Sequence, residues 1–259
     1  MMSFSLSKFL FIAAATLTLA ACGPGTPVLP DEPQNEPSAT NPENSGSNGS
    51  QEVEGGAELP SVTPEVPTLE PATPPMLSER EAILQKYDYV DPTHIVPTKH
   101  LEEAILYYHK NKTSLKNPSV LSVIDFSQKS TQKRWYFINM NTGSVWNIHV
   151  AHGKGSDSDH DGFAEKFSNV SGSNASSLGF YRTAETYQGS NGYSLKLDGL
   201  SATNSNARPR AIVVHGASYV QDSSVIQGRS WGCPAVSTAH RDKVINMIKG
   251  GSLIYAAAK

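Results

Sequence analysis

Cysteine is scarce in this chain of 259 residues, which contains two, Cys22 and Cys233. This scarcity excludes a fold held together by several disulfides and leaves one bridge at most. No run of Lys and Arg interleaved with aromatic residues occurs, so the basic footprint of a nucleic-acid-binding surface is missing and we expect no nucleic-acid partner. No apolar run reaches the roughly 20 residues that cross a bilayer comfortably, which argues against a permanent membrane helix.

The first 21 residues have the pattern of a secretory signal, with a lysine, an apolar run and small residues before Cys22. Residues 19–23, Leu-Ala-Ala-Cys-Gly, resemble the lipobox of bacterial lipoproteins, in which the cysteine is acylated and becomes the new N-terminus. The resemblance implies a lipid anchor at Cys22 and, because Gly23 follows it, an outer-membrane location facing the periplasm. An ordinary signal peptide cleaved near Ala21 is the alternative, and Cys22 is then free to pair with Cys233.

Residues 22–76 have a composition that does not support a folded segment. The stretch 23–75 holds twelve of the 17 prolines and nine acidic residues, with no aromatic residue and no Lys or Arg. Such a composition buries too little apolar surface to order itself, so we predict a disordered tether with a root-mean-square reach of about 40 Å. In the rest of the mature chain, Lys and Arg outnumber Asp and Glu by five, a mild excess that suits an anionic polymer.

Residues 77–259 are predicted to form one strand-dominated α+β domain, with 77–116 as a helical lead-in. Ser78 and Glu81 match a capping box, and a second apolar helix face follows Pro97. Ser237 or Thr238 is predicted to cap a third helix. No βαβ alternation is present. Strands are predicted at 121–126, 134–139, 145–150, 193–197, 211–215 and 253–256.

The most concentrated chemical signal is an apolar strand that ends at His215, followed by a glycine-bounded loop that presents Cys233. A free thiol with a pKa near 8.5 is only a few per cent thiolate at neutral pH. An imidazolium beside the sulfur would lower that pKa, and the same ring can protonate a leaving amine and deprotonate an incoming one. We therefore expect Cys233 to be a nucleophile and His215 its acid and base; a buried, inert cysteine is the alternative.

The spacing from His215 through fourteen residues to Ser230-Trp231-Gly232-Cys233 resembles the His-x14-17-Ser/Thr-x-Gly-Cys signature of murein L,D-transpeptidases of the YkuD-like type. Further likeness lies at 151–156, 167–169, 177–181 and 250–253, so that it covers roughly 95–259. The resemblance implies a β-sandwich or mixed sheet with packed helices. The family commonly has His where this chain has Trp231, which concerns the substrate contacts more than the nucleophile.

Residue roles follow from the same resemblance. It implies Cys233 as nucleophile, His215 as acid and base, and the Gly216 carbonyl as the group that orients the imidazole. The amides of Gly232 and Cys233 are then expected to form an oxyanion hole. Two more residues either face the substrate or shape the loop, namely Ser230 and Arg229.

The family's substrate is the peptidoglycan stem peptide. Cys233 would attack the carbonyl that joins the third stem residue to D-alanine, and D-alanine would leave. An amine of a second stem or of a lipoprotein then forms a crosslink; if water attacks instead, the protein is an L,D-carboxypeptidase. A non-catalytic wall-binding lipoprotein is the remaining alternative. We expect a monomer that needs no cofactor.

Asp157-Ser-Asp-His-Asp-Gly162 matches the first half of a calcium-binding loop, with carboxylates at positions one, three and five, namely Asp157, Asp159 and Asp161. Position twelve is Ser168 rather than the bidentate Glu. The expectation is therefore an exposed polar loop and no metal site, with calcium left open. Zinc is not expected, because the neighbouring histidines lack ligand spacing: His149, His152 and His160. Four others are expected to be surface or packing residues: His94, His100, His109 and His240.

Overall fold

The computed structural model describes residues 77–258. The predicted signal at 1–21, the tether at 22–76 and Cys22 lie outside these residues. Helix α1 (Glu79–Gln85) begins with the predicted capping box, which is confirmed: Ser78 Oγ accepts from the Glu81 amide, and the Glu81 carboxylate accepts from the Ser78 amide. Helix α2 (Thr98–Asn111) follows Pro97 as predicted. Within 77–258, no helix combines the length and apolarity needed to cross a membrane.

Eight strands and a third helix make up the rest of the domain. Helix α3 lies between the last two strands, and two short 3-10 helices occupy 112–114 and 202–204. The remaining elements are β1 (Val120–Asp125), β2 (Trp135–Asn139), β3 (Val145–Ile148), β4 (Gly179–Gly189), β5 (Gly192–Gly199), β6 (Val213–Ala217), β7 (Ala235–Ser237), α3 (Arg241–Ile248) and β8 (Leu253–Ala257).

All eight strands belong to one mixed sheet in the order β3-β2-β1-β8-β4-β5-β6-β7. Two neighbouring pairs are parallel, β1 with β8 and β6 with β7, and the others are antiparallel. The sheet curls so far that the chain beyond β3 reaches the opposite edge, where Ala151 bridges Ala235 of β7. The strand-dominated α+β fold with a mixed sheet and packed helices is therefore confirmed.

The central strands are buried on both faces, which divides the core in two. Along β1, Leu121 and Val123 face α1 and α2, whereas Ile124 faces the other way, as the alternation of a strand requires. The α2 side contributes Ala104 and Ile105. The second and larger cluster lies on the α3 side of the sheet and includes Trp135, Phe137, Leu195, Leu197, Val214, Val236, Val244, Ile245 and Ile248.

Three local predictions differ from the structure. Strand β6 begins at Val213 rather than residue 211, because Ala211 adopts a left-handed backbone with φ 54° that cannot continue a strand. The predicted capping of α3 by Ser237 or Thr238 is wrong: Ser237 ends β7, and α3 begins at Arg241 without a side-chain cap. Strand β4, the longest of the eight, was not predicted as a strand.

Candidate active site

Strands β6 and β7 bring the predicted catalytic residues to one face of the sheet. They pair in parallel, with His215 opposite Ala235. Cys233 lies two residues before Ala235, on the segment that leads into β7. Because side chains alternate along a strand, the neighbouring residues Val214 and Val236 point into the main core and leave the other face to the site.

His215 is held in one orientation by its own strand. The side chain is buried, with 4% of its surface exposed, and Nδ1 lies 3.0 Å from the Gly216 carbonyl oxygen. A carbonyl can only accept, so Nδ1 carries the proton and Nε2 of the neutral ring remains a base. Burial lowers the pKa of His215 below its ordinary value, and the bond to Gly216 opposes this effect only in part. The imidazole is therefore neutral at neutral pH.

The Cys233 thiol is half-buried at the end of the loop that leads into β7. Its Sγ lies 3.7 Å from the Ala211 carbonyl oxygen, and within the described residues no hydrogen bond joins it to the His215 ring. Burial raises the pKa of Cys233 above its ordinary value, against the opposing effects of the Val213 backbone and the Arg210 charge. Both pKa shifts favour a neutral thiol and a neutral imidazole at rest, whereas the sequence suggested an ion pair.

Ser230 organises the loop before the thiol. Its buried hydroxyl accepts the Gly232 amide at 3.0 Å and donates to the Cys233 carbonyl at 2.7 Å. The Ser230 amide donates to the His152 carbonyl at 2.9 Å. Ser230 therefore shapes the loop, and the Gly232 amide, expected in an oxyanion hole, is engaged by Ser230 in this resting arrangement.

The other loop residues differ sharply in their surroundings. Arg229 donates through Nη1 to the carbonyls of Asp157 and Ser158, so it ties the thiol loop to residues that follow β3. Trp231, two residues before the thiol, has 79% of its surface exposed. Tyr219 lies close enough that burial and the charge of Cys233 together raise its pKa to about 12. The thiol loop thus carries an exposed indole, and a phenol lies near the sulfur.

A buried chain of hydrogen bonds links Arg134, His152 and Asp157, and it was not predicted from the sequence. Arg134 is fully buried, and its Nη2 lies 2.7 Å from Nδ1 of His152. A guanidinium only donates, so Nδ1 accepts and Nε2 of His152 donates to Asp157 Oδ2 at 2.9 Å. Burial and the charge of Arg134 lower the pKa of His152 to about 4, which keeps that ring neutral. Nothing in the local sequence around Arg134 signals this tertiary contact.

Arg210 is a second residue that sequence reasoning missed. It follows Pro209 and lies just before β6, where no motif marks it. Its guanidinium donates to the carbonyls of Ser168 and Ala175, both at 2.7 Å, and its charge acts on Cys233.

The remaining two histidines near the acidic loop have separate backbone partners: Nε2 of His149 lies 3.2 Å from the Thr131 oxygen, and Nε2 of His160 lies 3.0 Å from the Gln227 oxygen.

Within residues 77–258, none of the four histidines expected to be surface or packing residues hydrogen-bonds to the Cys233 thiol. His109 contacts the Tyr87 hydroxyl at 3.0 Å. His100 is buried with Nε2 3.4 Å from Asp125, and Nδ1 of His240 lies 2.9 Å from Oδ1 of Asp222. His94 is exposed with a left-handed backbone at φ 52°.

One family model and several solved structures match this chain. A family model described as the L,D-transpeptidase catalytic domain matches residues 78–257. Among solved structures, the L,D-transpeptidase from Mycobacterium smegmatis is 15% identical with a TM-score of 0.35, and the match covers 54% of this chain and 59% of that one. The helical cell shape determining protein Pgp2 from Campylobacter jejuni is 12% identical with a TM-score of 0.36, covering 54% and 48% of the two chains.

L,D-transpeptidase 1 of Mycobacterium tuberculosis is 11% identical with a TM-score of 0.31, and the match covers 54% of this chain and 62% of that chain. The chain therefore matches less than two thirds of the length of these solved structures. No curated protein matches it. Because the family model covers well over half of the sequence, the chain belongs to the L,D-transpeptidase catalytic domain family.

Proposed function

We propose that this protein is a cysteine-dependent L,D-transpeptidase that acts on peptidoglycan stem peptides, releases D-alanine and forms a crosslink. The observation that carries the proposal is the pairing of β6 with β7. It sets an oriented, neutral His215 on the same sheet face as Cys233, whose loop opens beside the exposed Trp231. Family membership supplies the substrate class.

The reaction begins with the substrate carbonyl held against Sγ. As the bond from Sγ to the carbonyl carbon forms, the thiol proton passes to Nε2 of His215, whose Nδ1–H stays bonded to the Gly216 carbonyl. The resulting imidazolium then gives its proton to the nitrogen of the departing D-alanine, and a thioester remains on Cys233. General-base transfer of this kind suits a resting pair in which both groups are neutral.

The second half-reaction reverses these roles. An amine of a second stem attacks the thioester carbonyl and Nε2 accepts the amine proton; the bond from the carbonyl carbon to Sγ then breaks, and the ring protonates the departing thiolate. Water in place of the amine gives hydrolysis, the L,D-carboxypeptidase alternative. Neither acceptor needs a cofactor, since proton transfer and thiol chemistry complete both steps.

The oxyanion that forms in each step needs backbone donors. We assign this role to the amides of Gly232 and Cys233. The Gly232 amide would exchange its bond to Ser230 Oγ for one to the substrate oxygen. One donor in such a site typically contributes about 3 kcal/mol of transition-state stabilisation.

Matched histidine variants of the full chain test the proposal. The reaction is D-alanine release from a disaccharide tetrapeptide, with and without an amine acceptor, and product masses separate crosslinking from hydrolysis. Cys233→Ala and His215→Asn should abolish release while sacculus binding stays nearly unchanged. His94→Asn is the control, because His94 is exposed and Asn tolerates its left-handed backbone. Release by Cys233→Ala at the wild-type rate would contradict the cysteine mechanism, and absence of release by the wild type would leave a wall-binding function.

The lipid anchor is a separate part of the proposal. We propose that acylated Cys22 holds the mature chain at the outer membrane, facing the periplasm, with residues 23–76 as the tether that reaches the wall. The lipobox-like residues 19–23 support this arrangement. Fractionation tests it: wild type should remain with membranes, and Cys22→Ala should lose the acyl mass and become extractable without detergent. An unmodified wild-type residue 22 would contradict the anchor.

A further inference from the structure

The loop between β3 and β4 gathers three carboxylates that the proposed reaction does not use. Asp157, Asp159 and Glu165 each place one carboxylate oxygen within 4.8 Å of the others. Asp157 is fully buried, whereas Asp159 and Glu165 are exposed. The cluster therefore has one buried carboxylate and two carboxylates that solvent can reach.

The buried member of the cluster, Asp157, has a carboxylate oxygen without a hydrogen-bond partner. Asp157 Oδ2 accepts from Nε2 of His152 at 2.9 Å and from the Gly162 amide at 3.1 Å, but the buried Oδ1 has no hydrogen-bond partner. Among residues 77–258, no Lys or Arg forms an ion pair with any of the three carboxylates. A buried, unpaired carboxylate oxygen is costly unless it coordinates a metal or another cation.

We propose that Asp157, Asp159 and Glu165 form a calcium-binding site. Three carboxylates supply hard oxygen ligands, and Ca²⁺ fills its six to eight positions with carbonyls and water. Gly162 occupies position six of the loop that begins with Asp157 at position one, and its φ is 96°; a calcium loop requires glycine at this position for its sharp turn.

The proposed ligands differ from those of the usual twelve-residue calcium-binding loop. This difference explains why the sequence alone predicted an exposed polar loop. The acidic ligand that the pattern seeks at position twelve is Ser168 here. The structure instead brings Glu165, at position nine, to the cluster. Asp161 is outside the group; its Oδ1 accepts the Phe163 amide at 2.8 Å.

The choice of calcium over magnesium rests on geometry. Mg²⁺ demands a near-ideal octahedron and retains several waters, whereas Ca²⁺ accepts irregular sites. Here one carboxylate is buried, and the other two are exposed side chains on a loop. Such a site suits the larger and more adaptable ion.

The site adjoins the thiol loop through direct contacts. Arg229 donates to the backbone carbonyls of Asp157 and Ser158, and His160 Nε2 contacts the Gln227 carbonyl at 3.0 Å. An ion that orders the acidic loop therefore also stabilises residues 227–229. We place the ion in a structural role, and its binding does not depend on whether Cys233 is catalytic.

Calorimetric titration and thermal melting of the full chain, stripped with chelator and then dialysed, test the proposal. The probes are calcium chloride and magnesium chloride, each alone. We expect a calcium Kd on the order of 10⁻⁴–10⁻³ M, as in extracellular modules. At about 10 mM calcium the Tm should rise by about 3–10 °C, with a smaller effect of magnesium.

Variants of the exposed ligands make the test specific. Glu165→Gln and Asp159→Asn should each weaken calcium binding by about tenfold or more, and neither removes a buried group. Asp161→Asn is the matched control: it removes one charge from the same loop and should change the Kd by less than about threefold. Absence of binding heat and of a Tm shift at about 10 mM calcium would overturn the site. Equal weakening by Asp161→Asn would overturn the proposed ligand set, and equal binding of magnesium would overturn the choice of ion.

Discussion

Replacing Gly232 by alanine tests how closely the backbone beside the thiol must be held. Gly232 has φ 116°, a conformation that residues with a side chain rarely adopt. A Cβ added there would lie 2.7 Å from the Ala175 carbonyl oxygen and 3.1 Å from Cδ1 of Ile212. Since a backbone oxygen cannot rotate away as a flexible side chain can, either the Cys233 loop or the strand entry near Ala175 must move.

Backbone strain and displacement of the reacting groups together set the expected effect of Gly232→Ala. A strained backbone conformation of this kind costs about 1–3 kcal/mol, equivalent to a fall in Tm of about 2–12 °C for a domain of this size. Displacement of the reacting groups by about 1 Å typically costs about 100-fold in rate. We therefore expect Gly232→Ala to lower kcat/KM for D-alanine release by about 30- to 100-fold at a temperature where it remains folded. Melting curves and initial rates measure the two effects separately.

Gly250→Ala is the matched control. Gly250 also has a positive φ, 81°, but no atom lies within 4 Å of an added Cβ. It should lose stability through backbone strain alone and retain activity. Wild-type activity in Gly232→Ala, or an equal loss of activity in both variants at matched folded fraction, would refute the link between this backbone and the chemistry.

Three further outcomes are expected. Because burial lowers the pKa of His215, and the neutral ring is the base, kcat/KM should fall on the acid side only below about pH 6.5; an acid limb above that value would contradict a neutral resting imidazole. Ser230→Ala should lower the free energy of unfolding by about 1–3 kcal/mol, since it strands the Gly232 amide, and Ser230→Thr should restore most of it; denaturant melts measure both. Trp231→Ala should leave Tm within about 2 °C but raise KM for muropeptides severalfold, because the exposed indole has few contacts to lose in folding; an unchanged KM would exclude Trp231 from substrate binding.

Elements specified by nearby residues were predictable from the sequence. The capping box of Ser78 and Glu81 sets the start of α1, and the strongly apolar runs of β1 and β2 correspond to strands buried on both faces. Strand β4 was less visible. Its burial alternates irregularly, and its pairing with β5 shifts register between Thr183 and Thr186, so no clean period of two runs along it.

For the site too, the sequence predicted what depends on neighbouring residues and missed what depends on tertiary contacts. A lone thiol after a glycine-bounded loop and a histidine at a strand end could be identified by residue type and spacing. Their detailed geometry could not, because it depends on distant segments. The Gly232 amide is engaged by Ser230, the thiol rests neutral, and Glu165 joins Asp157 across a loop whose sequence pattern points to position twelve.

Intact-mass analysis of the full chain during turnover tests the central claim most directly. Incubation with a disaccharide tetrapeptide and rapid acid quenching should reveal an adduct that carries the stem without its D-alanine. Peptide mapping should place that adduct on Cys233, and an added amine acceptor should discharge it into a crosslinked product. Release of D-alanine with no adduct on Cys233, or with an adduct on another residue, would contradict the account.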